Sequence, residues 1–129
     1  MRLRMELFVD DMDTTIAFYA DLLGFQLVRQ SADYAVIRRG HVVLGLGPVA
    51  KLNWPNPDVL KGAGVEIVLE LDDVADVSAL HEHCAARTSG VEPLRLQPWG
   101  LHDFRLRDPD GYYLRVTHGD ADASELSPR

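Results

Sequence analysis

Apolar residues recur along this chain with two different periods, and each period predicts one kind of element. Every second residue from Leu3 to Val9 is apolar, which is typical of a strand with one buried face. In the segment TTIAFYADLLG, Ile16 and Tyr19 share one helical face, and Gly24 suits the left-handed residue that often ends a helix. The chain is therefore expected to begin with a strand followed by a helix.

Short runs with strand-like alternation follow this helix, and after residue 64 the same order of elements returns. The remaining predicted elements are the strands Phe25–Gln30, Tyr34–Arg38, Val42–Leu46 and Val65–Leu71, the helix Val74–Arg87, and the strands Glu92–Gln97, Leu101–Arg107 and Tyr112–His118. Residues 48–64 contain three prolines and keep neither period, which indicates a linker or a lid. Residues 119–129 are polar and aperiodic, so we expect a disordered tail.

An internal repeat relates the two halves. A shift of 62 residues places Met5-x-Leu7-x-Val9-Asp10-Asp11 on Ile67-x-Leu69-x-Leu71-Asp72-Asp73, including the acids expected to cap the two helices. We predict one α+β domain over residues 1–118, with module one at 1–47, a linker at 48–64 and module two at 65–118. The two tandem βαβββ modules are expected to form a curved, barrel-like mixed sheet with the helices outside and a ligand cavity on its concave side.

Composition and charge narrow the class of function. The 129 residues suit one domain, and a formal net charge of −7 gives nucleic-acid binding no electrostatic support. Cys84 is the only cysteine, which rules out an internal disulfide. The start MRLRMELF lacks the apolar stretch of a signal peptide, and no run reaches about 20 apolar residues. We therefore expect a cytoplasmic protein that does not contact a membrane.

Two motifs carry a resemblance to a known family. The segment FYADLLGF after the first strand and the segment FRLRDPDGYYLRV near the end are similar to those of the vicinal oxygen chelate superfamily. That group includes glyoxalase I, extradiol dioxygenases and bleomycin-resistance proteins, and the resemblance extends from about Arg2 to His118. It implies the paired-module fold and a homodimer, but it identifies a fold far better than a reaction.

The resemblance implies that, in the metal-dependent members, the first strand and the last strand of each module supply one metal ligand each. Carried onto this chain, those positions are Arg4, Gly45, Glu66 and Arg115. A guanidinium group stays protonated and has no lone pair to donate, so two of the four positions would repel a cation. We therefore expect neither a metal nor another cofactor.

Arg4, Glu66 and Arg115 are instead expected to form a buried ionic cluster. One interpretation is that the cluster neutralises itself and holds the two halves in register. The other is that the second arginine is left to bind a carboxylate or phosphate of a ligand in two-pronged geometry. The sequence leaves both interpretations open.

Other residues are candidates for contact with the ligand. They are Tyr113 and Thr117 as polar groups, Phe8, Val43 and Val68 as apolar wall, and Trp54 and Trp99 as aromatic groups near the cavity mouth. One of His102 and Asp103 is also expected to line the pocket. The tract His81-Glu82-His83-Cys84 is interpreted as structural, because residues two apart on a helix point to different sides.

The function favoured by these features is a metal-free small-molecule-binding protein, similar to the bleomycin-resistance type, that sequesters an antibiotic or a metabolite. The alternative is a glyoxalase- or dioxygenase-like metalloenzyme whose ligands lie elsewhere in the chain. A third hypothesis is metal-free proton transfer with Glu66 as the base. Two neighbouring arginines would stabilise its charged form and make it a weak base, so this hypothesis ranks last.

Overall fold

The computed structural model describes residues 1–52 and 60–119. Two helices and eight strands follow one another in the predicted order, confirming an α+β fold. The elements are β1 Met5–Val9, α1 Met12–Leu23, β2 Gln26–Gln30, β3 Ala35–Arg39, β4 Val42–Pro48, β5 Glu66–Leu71, α2 Val74–Ala85, β6 Arg95–Leu96, β7 His102–Arg107 and β8 Tyr113–His118. A short 3₁₀ turn, Val49–Lys51, follows β4. In this part of the chain neither helix has the length and apolar character needed to span a membrane.

The chain forms two compact units. One comprises Met1–Ala63 with Asp108–Tyr112, and the other comprises Gly64–Arg107 with the chain from Tyr113 onward. The turn between β7 and β8 is thus packed in the first unit, although both strands that it joins belong to the second. The Trp54 prediction and most of the predicted tail lie outside the described residues.

The first unit is a four-stranded mixed sheet with α1 against one face. Its strand order is β1-β4-β3-β2, with β1 parallel to β4 and the other pairs antiparallel. The carboxylate of Asp11 accepts a hydrogen bond from the Thr14 N–H and caps α1, and Gly24 ends the helix at φ 71°. The buried apolar side chains of this unit include Leu7, Val9, Tyr19, Leu23, Ile37, Leu44 and Leu46.

The second unit repeats this plan. Its strand order is β5-β8-β7-β6, with β5 parallel to β8 and the other pairs antiparallel. Asp73 caps α2 by accepting from the Asp76 N–H, as Asp11 caps α1. The buried apolar side chains of this unit include Ile67, Leu69, Val77, Cys84, Phe104, Leu106, Leu114 and Val116.

The 62-residue offset relates the helix bounds and one strand pairing of the two units. Shifting Met12–Leu23 by that offset gives Val74–Ala85, the observed bounds of α2. The strand pairing repeats as well, because Glu6 pairs with Gly45 in the first unit while Val68 pairs with Arg115 in the second. Gly45 and Arg115 therefore hold equivalent positions, as predicted.

The turn of residues 108–112 is anchored in the first unit by its acidic side chains. The Tyr19 hydroxyl donates to Asp108 Oδ2 over 2.8 Å, and Asp108 Oδ1 accepts from the backbone N–H groups of Asp110 and Tyr112. Asp110 accepts from the Asp10 N–H at 2.8 Å and pairs with Lys61 Nζ at 3.1 Å. These contacts make the turn part of the first unit's core.

Candidate functional site

The second sheet has one apolar face and one charged face, because successive side chains of a strand point to opposite sides. Ile67, Leu114 and Phe104 are buried on the side of α2. The opposite face carries the alternate residues of β5, β6, β7 and β8. These residues are Glu66, Val68, Glu70, Arg95, Asp103, Arg105, Arg107, Tyr113, Arg115 and Thr117.

Four charged side chains at the centre of this face form what we term the ion-pair cluster: Glu66, Asp103, Arg105 and Arg115. Arg115 Nε donates to Glu66 Oε1 over 2.8 Å, and Arg105 Nε donates to Glu66 Oε2 over 3.2 Å. Arg105 Nη1 lies 3.2 Å from Asp103 Oδ1, and Arg115 Nη1 lies 3.8 Å from Asp103 Oδ2. Each arginine therefore bridges the same two carboxylates.

The strand register explains why the two arginines need these carboxylates. Arg105 and Arg115 are directly opposite each other on antiparallel β7 and β8. Like charges facing each other across two strands are destabilising unless countercharges separate them. Burial acts to lower the pKa of Arg105, but the charges of Asp103 and Glu66 outweigh it, so that pKa is raised.

Asp103 is the most buried member of the cluster, with a side chain only 1% exposed. Gln97 donates to its Oδ1 over 2.9 Å, whereas Oδ2 has no hydrogen-bond partner. A cavity of about 20 Å³ beside it is lined by Glu92, Pro93, Arg95, Asp103, Phe104 and Arg105. That volume suits one water molecule.

The structure brings together part of the predicted cluster. Glu66 and Arg115 form the expected ion pair. Arg4 is exposed, and its ion pair is with Glu6 in the first unit at 3.1 Å. Arg105 holds the second place beside Glu66. Of the pair His102 and Asp103, it is Asp103 that lies on this face.

Gly45, the other predicted site position, lies under a polar group of the first unit. The Tyr34 hydroxyl donates to the two oxygens of the Glu6 carboxylate over 2.9 and 2.8 Å. A side chain built on Gly45 would overlap both the Glu6 carboxylate and the Tyr34 hydroxyl. Glycine at this position therefore leaves room for the Glu6–Tyr34 pair.

A larger cavity adjoins the charged face of the second unit. Its volume is about 430 Å³, within the range of small-molecule sites. It is lined by Ser89, Gly90, Glu92, Leu106, Arg107 and Tyr113. The Arg107 guanidinium lies 4.7 Å from the centre of the Tyr113 ring. Of the predicted ligand-contacting residues that the structure describes, Tyr113 lines this cavity.

The remaining predicted residues have varied surroundings. The Thr117 hydroxyl is buried and donates to the His102 carbonyl oxygen over 2.8 Å, so it is engaged by the backbone. Val68 and Trp99 are exposed, whereas Phe8 and Val43 are half-buried in the first unit. Neither alternation nor composition could indicate these differences, because they depend on what packs against each strand.

The donors at the four family positions do not fit a divalent cation. Glu66 is the one carboxylate among Arg4, Gly45, Glu66 and Arg115, and both of its oxygens accept from arginines. Over residues 1–52 and 60–119, no group of three or more His, Cys, Asp or Glu side chains is arranged to hold a metal. Divalent metals need several such donors together.

Comparisons with known proteins agree with the fold. The chain is similar to a solved lactoylglutathione lyase from Agrobacterium tumefaciens, with 26% identity over 92% of this chain and 93% of that one, at a TM-score of 0.74. It is also similar to a bleomycin-binding protein solved with bleomycin, with 27% identity over 93% and 99% of the two chains, at a TM-score of 0.67. A bleomycin resistance determinant encoded on transposon Tn5 has 26% identity over 93% and 98%, at a TM-score of 0.68.

The comparison with curated proteins gave no match. A family model, described as the Glyoxalase/Bleomycin resistance protein/Dioxygenase superfamily, matches residues 3–116. Nearly the whole of both units is covered by this match. The chain therefore belongs to the Glyoxalase/Bleomycin resistance protein/Dioxygenase superfamily.

Proposed function

We propose that this protein binds a small molecule without a metal and acts by sequestering it, as an antibiotic- or metabolite-binding member of the superfamily. One observation carries the proposal. Glu66 is the only possible metal ligand at the four family positions, and both of its oxygens are occupied by Arg105 and Arg115. A cation would have to displace two arginines from a half-buried carboxylate.

The similar proteins support a binding role. One of the similar proteins is a bleomycin-binding protein whose structure was solved in complex with bleomycin. In the present chain, the charged face of the second sheet and the cavity of about 430 Å³ beside it provide polar groups and space for a ligand.

Metal analysis combined with a ligand screen tests this function. Protein purified without chelator is expected to contain far less than one equivalent of zinc, nickel, iron or manganese. In a thermal-shift screen of antibiotics, keto acids and thiol conjugates, a ligand that binds the native state is expected to raise the Tm. The Tm should rise equally with and without excess EDTA.

A different result would favour the enzyme alternative. The similarity to a lactoylglutathione lyase makes a metal-dependent lyase the second candidate. Near-stoichiometric metal, together with ligand binding that disappears in EDTA, would support that candidate and contradict sequestration.

We also propose that the protein is a cytoplasmic homodimer. The family resemblance supports the dimer. Cys84 is the only cysteine, so the chain has no internal disulfide, as is usual for proteins of a reducing compartment, and this supports the location. Size-exclusion chromatography with light scattering is expected to give twice the 14.4 kDa chain mass. A single-chain mass at high protein concentration would contradict the dimer.

A further inference from the structure

The two arginines of the ion-pair cluster present matching donors that the cluster does not use. Arg105 donates from Nε to Glu66 and from Nη1 to Asp103. Arg115 donates from Nε to Glu66, and its Nη1 lies 3.8 Å from Asp103 Oδ2. Within the described part of the chain, neither Nη2 group has an acceptor. The side chains of Arg105 and Arg115 are 23% and 20% exposed, so part of each arginine is accessible to a ligand. Two fixed guanidinium groups side by side suit the two oxygens of one oxyanion.

The charge around the cluster favours a monoanion. Glu66 and Asp103 balance Arg105 and Arg115, so the cluster itself is close to neutral. The whole charged face carries four arginines against three carboxylates, in a chain whose formal net charge is −7. A dianionic phosphate placed on the two Nη2 groups would be repelled by both carboxylates, whereas a carboxylate brings one charge and a flat pair of oxygens.

The adjoining cavity indicates the shape of the rest of the ligand. Tyr113 and Arg107 lie two residues along β8 and β7 from Arg115 and Arg105, which is roughly 7 Å. These two side chains line the cavity of about 430 Å³, where the Arg107 guanidinium lies over the Tyr113 ring. A flat group joined directly to the carboxylate would reach this ring.

We propose that the second unit binds a small planar monocarboxylic acid, with its carboxylate on the Nη2 groups of Arg105 and Arg115 and its flat body toward Tyr113. Asp103 and Glu66 act as positioning residues, because they hold the arginines side by side. This inference rests on the proposed metal-free binding function and names the class of ligand.

Ligand-observed fluorine NMR with 4-fluorobenzoate tests the proposal. For a ligand of this size the affinity is expected in about the millimolar range, visible as line broadening. The fluorine signal of the neutral analogue 4-fluorobenzamide should not broaden, because the amide carries no negative charge to pair with the arginines. Acetate should displace 4-fluorobenzoate, and inorganic phosphate at the same concentration should displace less.

Three variants locate the binding. Arg115→Lys and Arg105→Lys keep the charge but lose the two-pronged geometry. Each substitution is expected to weaken the binding of 4-fluorobenzoate at least about tenfold. Arg29→Lys, on the exposed strand β2 of the first unit, is the matched control and should bind as the wild type does. Thermal unfolding of each variant shows whether it is folded.

The amide comparison uses only the wild type, so it remains decisive if an arginine variant fails to fold. The proposal is overturned if the acid does not broaden, or if the amide broadens as much as the acid. It is also overturned if phosphate displaces 4-fluorobenzoate more strongly than acetate does, or if both folded arginine variants bind as the wild type does. If only neutral or cationic compounds bind metal-free protein, this inference fails while the proposed function stands. Stoichiometric metal would refute the function itself.

Discussion

At the residue scale, Gly45 shows how one missing side chain positions a polar group. Its Cα lies beneath the Glu6 carboxylate and the Tyr34 hydroxyl, and it pairs with Glu6 across the parallel strands. Gly47, two residues along the same strand, would place a side chain 3.6 Å from the Phe8 ring, which is an ordinary contact. A larger residue can therefore replace Gly47 without a clash, whereas at Gly45 it cannot.

We predict that Gly45→Ala destabilises the protein by about 1 kcal/mol, the usual contribution of a hydrogen bond, because Glu6 must move away from Tyr34. Gly47→Ala is the matched control and should leave the free energy of unfolding nearly unchanged. Urea denaturation of the two variants measures the difference. Burial and the hydrogen bond to Glu6 raise the pKa of Tyr34, so this pKa should fall toward its ordinary value in Gly45→Ala. Equal stabilities and an unchanged Tyr34 titration would contradict the prediction.

Asp108 gives a pH-dependent prediction. Burial raises the pKa of this carboxyl above 3.8, although hydrogen bonds from Tyr19 and from two backbone N–H groups oppose the rise. A carboxyl with a higher pKa in the folded state binds its proton more tightly there than in the unfolded chain. Its burial therefore costs stability at neutral pH, and that cost is relieved as the pH falls through the raised pKa toward 3.8.

Asp108→Asn removes this titration while keeping the shape. The asparagine oxygen can accept from the backbone N–H groups, and its amide can donate to Tyr19. Measured by urea unfolding at about pH 7 and about pH 4.5, the wild type should gain stability relative to the variant at the lower pH. A constant difference, or one of the opposite sign, would show that burial does not control this carboxyl.

The sequence indicated part of the site through the family resemblance. The positions that it implies include Glu66 and Arg115, which form an ion pair in the structure. It could not show that Arg105 lies opposite Arg115, because that depends on the pairing of β7 with β8. The 62-residue offset gives Arg4 and Glu66 equivalent positions in the two halves, but equivalent positions need not be in contact. Arg4 forms its ion pair with Glu6, two residues along the chain.

At the element scale, an aspartate caps the start of each helix. Asp73 caps α2, while the preceding Asp72 makes no capping contact. We predict that Asp73→Ala lowers the free energy of unfolding by about 1 kcal/mol, because an N–H of the first turn loses its acceptor. Asp72→Ala removes the same charge without the cap and should have little effect. Similar losses in both variants would indicate a general charge effect in place of capping.

Element bounds were predictable where local signals were strong. Gly24 marked the end of α1, and the acids before the helix placed its start within a few residues. The predicted end of α2 at Arg87 was two residues too long, because no glycine marks it and Ala86 forms the cap. The strand predicted at Glu92–Gln97 is reduced to Arg95–Leu96. Pro93 and Pro98 flank it and cannot donate to a sheet, which limits its length.

At the scale of the whole molecule, the turn at residues 108–112 ties the chain of the second unit into the first. Asp110 is the central residue of this attachment, with a side chain 2% exposed and bound to Lys61, the Asp10 N–H and the Thr15 hydroxyl. Because the turn is continuous with β7 and β8, unfolding of the first unit must release the end of both strands. We therefore expect one cooperative unfolding transition.

Asp110→Ala tests this coupling, since it leaves Lys61 with one partner and the Asp10 N–H with none. The expected loss is about 2–3 kcal/mol, because a buried charged acceptor is removed from several donors. In urea titrations followed by NMR, backbone signals from β1 and from β5 should shift to a lower midpoint together. Pro109→Ala, at an exposed position of the same turn, serves as the control and should change the midpoint much less. If only the signals of β1 moved, the two units would unfold independently and the turn would be a local contact alone.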